Sequence, residues 1–181
     1  MTLARIVAAA AVALVAAGTL RAQETLSLSL DTPGEPISYQ LRRLEQRATG
    51  EDEPATGSGA VATARRISRH LADGNIEEAA LLSNSPKRRF EVLTDYRDAV
   101  GLAEFKRVYA EFSDPRNPLV AEIAIGSRRA LIWRLGPGAL AVQYYVDVDG
   151  NFLLDDVPSP ERSLLRRVVE AYRSGQKQLP D

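Results

Sequence analysis

The stretch VDVDGNFLLDDV, residues 146–157, gathers Asp147, Asp149, Asp155 and Asp156 around one glycine. Such a set could offer oxygen ligands to a divalent cation, or it could flank a tight turn. A calcium loop of the EF-hand type needs oxygen ligands at its first, third and fifth positions, glycine at the sixth and an acidic residue at the twelfth. With Gly150 sixth, Asp147, Asp149 and Asp156 fall in place, but Tyr145 becomes the first ligand and Phe152 and Leu153 run through the loop. The metal reading fails at its first ligand. Asp149-Gly150 between alternating runs is instead a strong two-residue hairpin signal. Its register sets Val148 opposite Asn151, Asp147 opposite Phe152, Val146 opposite Leu153, Tyr145 opposite Leu154 and Tyr144 opposite Asp155.

Other chemistry is sparse. His70 is the single histidine, so a histidine-rich metal centre cannot be assembled, and no spacing brings an acid to it for proton transfer. No serine sits in a nucleophile elbow, and with no cysteine a Cys-His pair is excluded. GSGA at 57–60 lies in a polar stretch and does not follow a strand, so it is no phosphate loop. No cofactor or metal is expected. What remains are polar residues inside apolar runs: Glu122, Arg134, Gln143 and Tyr145, with Trp133 as an aromatic wall. A pocket combines apolar walls with a few convergent polar groups. The same residues could equally face water on the open side of an antiparallel sheet. The GPG turn at 136–138 leaves the register open by one, so either Trp133 or Arg134 shares a face with Tyr145.

The elements that would position these residues begin at Ala60. VATARRISRHLADG sets Val61, Ala64, Ile67 or Ser68, and Leu71 on one side and closes at Gly74, a left-handed helix end. Asn75 caps a short helix in IEEAALLS. Ser85-Pro86 opens a helix to about Val100 with the stripe Phe90, Leu93, Tyr96 and Val100, and a further helix after Gly101 carries Leu102, Phe105, Val108 or Tyr109, and Phe112. The pattern then alternates. LVAEIAIG, RALIWRL, ALAVQYYVD and FLLDDV, separated by SR, GPG and DG, read as a four-stranded antiparallel meander. A last helix has Ser159 as cap, Pro160 next, and Leu164, Leu165, Val168, Val169 and Tyr172 on one face. Its stripe reads as core, or as a homodimer or partner surface if the helix projects. The KRR at 87–89 and the pair Arg166 and Arg167 have acidic neighbours in Glu91 and Glu170 and read as solvated helix faces.

Upstream of Ala60, LSLSL alternates like a short strand, ISYQLRRLEQ sets Ile37, Leu41 and Leu44 at helical spacing, and RATGEDEPATGSGA reads as a flexible linker. The first residues, MTLARIVAAAAVALVAAGTLRAQ, pair one early arginine with the apolar run IVAAAAVALVAA and a small-residue exit, the pattern of a secretory leader cut after Ala22, with Ala17 and Gly18 as alternative sites. That run falls well short of the ~20 residues that cross a bilayer core, so no membrane anchor is expected after cleavage. Leader removal takes away Arg5 and Arg21, making the formal charge two units more negative than −1. A chain this close to neutral lacks the basic excess of a general nucleic-acid binder. An exported protein without cysteine must rest on packing. Its arginine- and alanine-rich composition suggests the periplasm of a Gram-negative bacterium, or secretion from it.

Short helices around GNIEEAALLS, a helix ending in an aromatic turn, and an antiparallel sheet whose last hairpin carries the VDVDGNF turn together resemble the nuclear transport factor 2-like superfamily, particularly its small secreted bacterial members, over about residues 60–158. The resemblance implies a curved sheet wrapped on helices into a cone whose mouth holds a small molecule. The expectation is therefore a leader at 1–22, an arm and linker at 23–59, and one α+β domain at 60–181. That domain has N-terminal helices packed on a curved four-stranded antiparallel sheet, a cone-like roll, plus a C-terminal helix. Its expected function is that of an exported, non-catalytic module binding a small molecule or an envelope protein. The alternative is a small pocket isomerase or hydrolase working through Tyr145, Glu122 or Asp147.

Overall fold

The structure, a computed structural model, describes residues 24–28, 36–46, 59–136, 139–175 and 177. The expected leader and residues 47–58 of the expected linker lie outside these. The second half folds as its alternation dictates: strands β3 (Leu119–Ile125), β4 (Arg128–Leu135), β5 (Ala139–Val148) and β6 (Asn151–Leu154) form an antiparallel meander. The last hairpin has the register read from Asp149-Gly150, with Val148 opposite Asn151 and Tyr145 opposite Leu154. Both turn residues take positive φ, 53° at Asp149 and 83° at Gly150. That is what a primed two-residue turn demands.

Three expectations need correction. First, ISYQLRRLEQ is strand β2 (Ile37–Gln46), not a helix. Ile37, Leu41 and Leu44 meet a helical spacing by coincidence. The buried set Ile37, Tyr39 and Leu41 alternates, and pairing with β3 on one side and with β1 (Glu24–Leu28) on the other decides the state. Second, among the described residues the sheet therefore has six strands in the order β1-β2-β3-β4-β5-β6, where four were expected, and it includes residues upstream of Ala60. Third, the open, water-facing side that the sequence also allowed for the sheet is not found, since helices pack on both faces. Leu119, Leu131, Trp133 and Tyr145 pack under α1 (Gly59–Asp73), α2 (Ile76–Ala80), α3 (Pro86–Val100) and α4 (Leu102–Ala110). Tyr39, Leu41, Ile123 and Ile132 pack under α5 (Pro160–Arg173). Neighbours in a strand point to opposite faces, so Leu131 and Ile132 serve different cores.

The helices follow local chemistry with two exceptions. Gly74 closes α1 at φ 85°, where the Asn75 amide reaches the His70 carbonyl at 2.7 Å. Ser159 caps α5 by accepting from the Arg162 amide at 3.0 Å. Leu165, Val168, Val169 and Tyr172 then lie buried on the sheet, each such side chain contributing ~1.5–3 kcal/mol. Asn75 and Ser85, however, make no side-chain cap bond. The expected stripe of α3 is also only half used. Leu93 is buried and Tyr96 half-buried, while Phe90 and Val100 are 43% and 37% exposed, because α3 touches the layer beneath it near its middle.

Candidate functional site at the open edge of β5

β6 stops at Leu154 because the chain is tied down there. The Asp155 amide donates to the Tyr144 carbonyl at 2.8 Å, and its buried carboxylate accepts from Asn84 Nδ2 at 2.9 Å and Arg128 Nε at 3.1 Å. Asp156 accepts from Ser83 Oγ at 2.6 Å and from Arg89 Nε at 2.7 Å, and the Arg89 fork closes on its second oxygen. The Asn84 side-chain oxygen in turn accepts from the Asp156 amide at 2.8 Å. This knot joins the α2–α3 loop to the end of β6 and leads the chain away from β5.

Beyond Tyr145 no described strand pairs with β5 on that side. Backbone groups of successive strand residues point alternately left and right. The Asp147 amide donates to Ser127 across the β4 side, and the Tyr144 carbonyl accepts from Asp155 on the other. Even-numbered residues therefore aim their amides and carbonyls outward, and Leu140 and Val142 lie on open edge. A cleft of about 290 Å³ runs along this edge. Ile67, Leu71, Leu93 and Tyr109 line it from the α1–α4 layer, and Val142, Tyr144 and Arg162 from the α5 side. Burial pushes the phenols of Tyr109 and Tyr144 above their ordinary range; for Tyr144 the guanidinium groups of Arg166, Arg173 and Arg162 work against that.

Of the residues singled out in the sequence, Gln143 lines the cleft. Tyr145 lies fully buried behind it and donates its hydroxyl to Gln143 Oε1 at 2.9 Å. Burial pushes its phenol far above the usual range. Trp133 pairs with Ala141, which resolves the open register: Trp133, not Arg134, shares a face with Tyr145. Trp133 is buried edge-on to Phe112, with ring centroids 5.5 Å apart. Arg134 is exposed on the opposite face. Glu122 is buried away from the cleft, held by Arg42 at 2.7 Å and Arg129 at 3.5 Å. Asp147 supports the hairpin, accepting from the Gly150 amide at 2.8 Å. Ser83, Asn84, Arg89 and Arg162 were not singled out. Arg89 sits in the KRR run, but nothing local in the sequence ties it to a carboxylate 67 positions later.

A second hollow of about 550 Å³ lies between Arg107, Phe112, Asn117 and Leu135. Its charged rim is self-paired, Arg107 with Glu104 and Arg116 with Asp114. The Arg116 guanidinium and amide hold the Asp114 carboxyl down to about 2. No group of three or more metal-ligating side chains occurs among the described residues, and none of the described helices is long and apolar enough to cross a membrane. No protein-family model, curated protein or solved structure matches the chain.

Proposed function

We propose that the protein is a non-catalytic binding module of the cell envelope, and that its ligand occupies the cleft along the open edge of β5. The observation that carries this is the cleft itself: about 290 Å³, with Ile67, Leu71, Leu93, Tyr109 and Val142 as apolar or aromatic wall and Gln143, Arg89, Arg162, Asp155 and Asp156 as its polar groups. Apolar walls with a few fixed polar groups suit recognition. Export rests on the leader pattern of residues 1–22. The reading keeps from the nuclear transport factor 2-like resemblance only the idea of a ligand held between sheet and helices, moved from a cone mouth to a strand edge. A pocket enzyme has less support, because the Tyr145 hydroxyl is enclosed and already engaged with Gln143.

Amide chemical-shift mapping of the full chain against a library of small amphipathic fragments tests this. Shifts should concentrate at Val142, Gln143, Tyr144 and Leu93. If no fragment binds, or if the shifts gather elsewhere, the cleft is not the site.

A further inference from the structure

The edge of β5 that no described strand covers is flanked by two different surfaces. Toward the α1–α4 layer lie Ile67, Leu71, Leu93 and Tyr109, and the charged groups at that end of the cleft are already paired, Arg89 with Asp156 and Asp155 with Arg128. Toward the other layer runs a row of arginines on α5. Arg162, Arg166 and Arg173 are spaced by four and then seven residues, which sets them on one stripe of the helix. Arg162 holds its guanidinium 5.6 Å from the Tyr144 ring centroid, and Arg173 donates to the Leu140 carbonyl at 3.2 Å. Arg162 thus meets the strand at Tyr144 and Arg173 at Leu140, with Arg166 between them on the same stripe, so the row lies along the edge strand. Glu170 on the same helix and the paired Asp155 and Asp156 are the acidic groups nearby.

An unpaired edge is a template for another extended chain, and main-chain bonds to it give affinity while alternate side chains give specificity. A strand laid beside Leu140 and Val142 would turn its side chains alternately to the two flanking surfaces. We infer that the ligand of the β5 cleft is an extended peptide segment of a partner protein, alternating apolar and acidic residues, which adds as a seventh strand to the sheet. Its apolar side chains enter the cleft toward Leu93 and Tyr109. Its carboxylates meet Arg162, Arg166 and Arg173. Its backbone pairs with Val142 and takes over from Arg173 at the Leu140 carbonyl. A second copy of this chain fits poorly, since pairing two β5 edges would bring two arginine rows together. The inference rests on the proposed binding role of the cleft and goes beyond it in naming the ligand's chemistry.

The test uses the full chain and three synthetic heptapeptides: alternating valine and glutamate, alternating valine and lysine, and the valine–glutamate peptide with alternate amides N-methylated. Binding is followed by amide shifts and calorimetry. The valine–glutamate peptide should shift Leu140, Val142 and Tyr144 and bind at least about tenfold more tightly than either other peptide, a gap of about 1.4 kcal/mol. In the double variant Arg166→Glu, Arg173→Glu, both exposed positions, the charge preference should reverse. Equal binding of the N-methylated peptide would remove strand addition, and equal binding of the valine–lysine peptide would remove the acidic partner. Absence of binding by all three overturns the inference; if fragments still shift Val142 and Gln143, the cleft survives as a site for another ligand. Dimerisation of the free chain through β5 would also overturn it.

Discussion

Glu122 and Asp155 are the buried carboxylates among the described residues, 5% and 2% exposed, and they do opposite things to the sheet. Glu122 sits inside β3 and takes its cations from the neighbouring strands, Arg42 on β2 and Arg129 on β4. Its bonds run across the sheet, in the direction the strands already pair, so they stitch together an interior that is closed. Asp155 sits one residue past β6 and takes partners from elsewhere: Asn84 in the α2–α3 loop and Arg128 at the start of β4. Its bonds end a strand, and the edge left open beside β5 is the consequence. A buried carboxylate in mid-strand reports packing, whereas one at a strand end can decide where a surface is left available.

Asp155→Ala should have the largest effect. It strips Arg128 and Asn84 of a fully buried acceptor, and removing one partner of a buried pair destabilises by about 3–5 kcal/mol. Urea unfolding should show that loss, together with shifts in the Asn84 and Tyr144 amides. A loss below about 1 kcal/mol would mean that Asp155 does not organise the strand end.

Glu122→Gln should weaken the fold less, by about 2 kcal/mol. Its two arginines stay 29% and 21% exposed and can turn to water, and the amide can still accept from one of them. The same denaturant measurement checks the order. A larger effect at Glu122 than at Asp155 would reverse the assignment of roles. Binding at the β5 cleft should be unchanged, because Glu122 lies outside its lining.

Much of the fold was legible. The four strands of the meander, the hairpin register, the Gly74 and Ser159 helix ends and the apolar face of α5 all follow from local period and cap chemistry. β2 was not, because Ile37, Leu41 and Leu44 suit a helix as readily as a strand, and only the partners β1 and β3 settle the matter. The site was legible in fragments. Gln143 and Tyr145 stand out as polar breaks in an apolar strand, and they are bonded to each other beside the cleft. Arg89, Ser83 and Asn84 look like ordinary loop and helix-start residues. Their role depends on contacts with Asp155 and Asp156 about 70 positions away, and no local pattern encodes such contacts.

Ser83→Ala separates the two halves of the knot. The Ser83 hydroxyl donates to Asp156 at 2.6 Å while accepting from the Ser85 amide at 2.9 Å, so its removal takes one charge-assisted bond and one local bond. The Arg89 fork still holds Asp156, so the loss should be about 1–1.5 kcal/mol by thermal or urea unfolding.

The smallest effect should come from Asp147→Ala. Of the four aspartates in VDVDGNFLLDDV, Asp147 and Asp149 make the turn, and Asp155 and Asp156 make the knot. Asp147 accepts one exposed hydrogen bond from the Gly150 amide at 2.8 Å, worth about 0.5 kcal/mol, and the positive φ values at Asp149 and Gly150 hold the hairpin without it. Stability should therefore barely move, and peptide or fragment binding at β5 should be unaltered. A loss like that of Asp155→Ala would show that the whole acidic stretch acts as one unit. A loss of a few tenths of a kcal/mol would show two neighbouring pairs of identical residues serving different ends, one turning the chain and the other ending the strand beside the cleft.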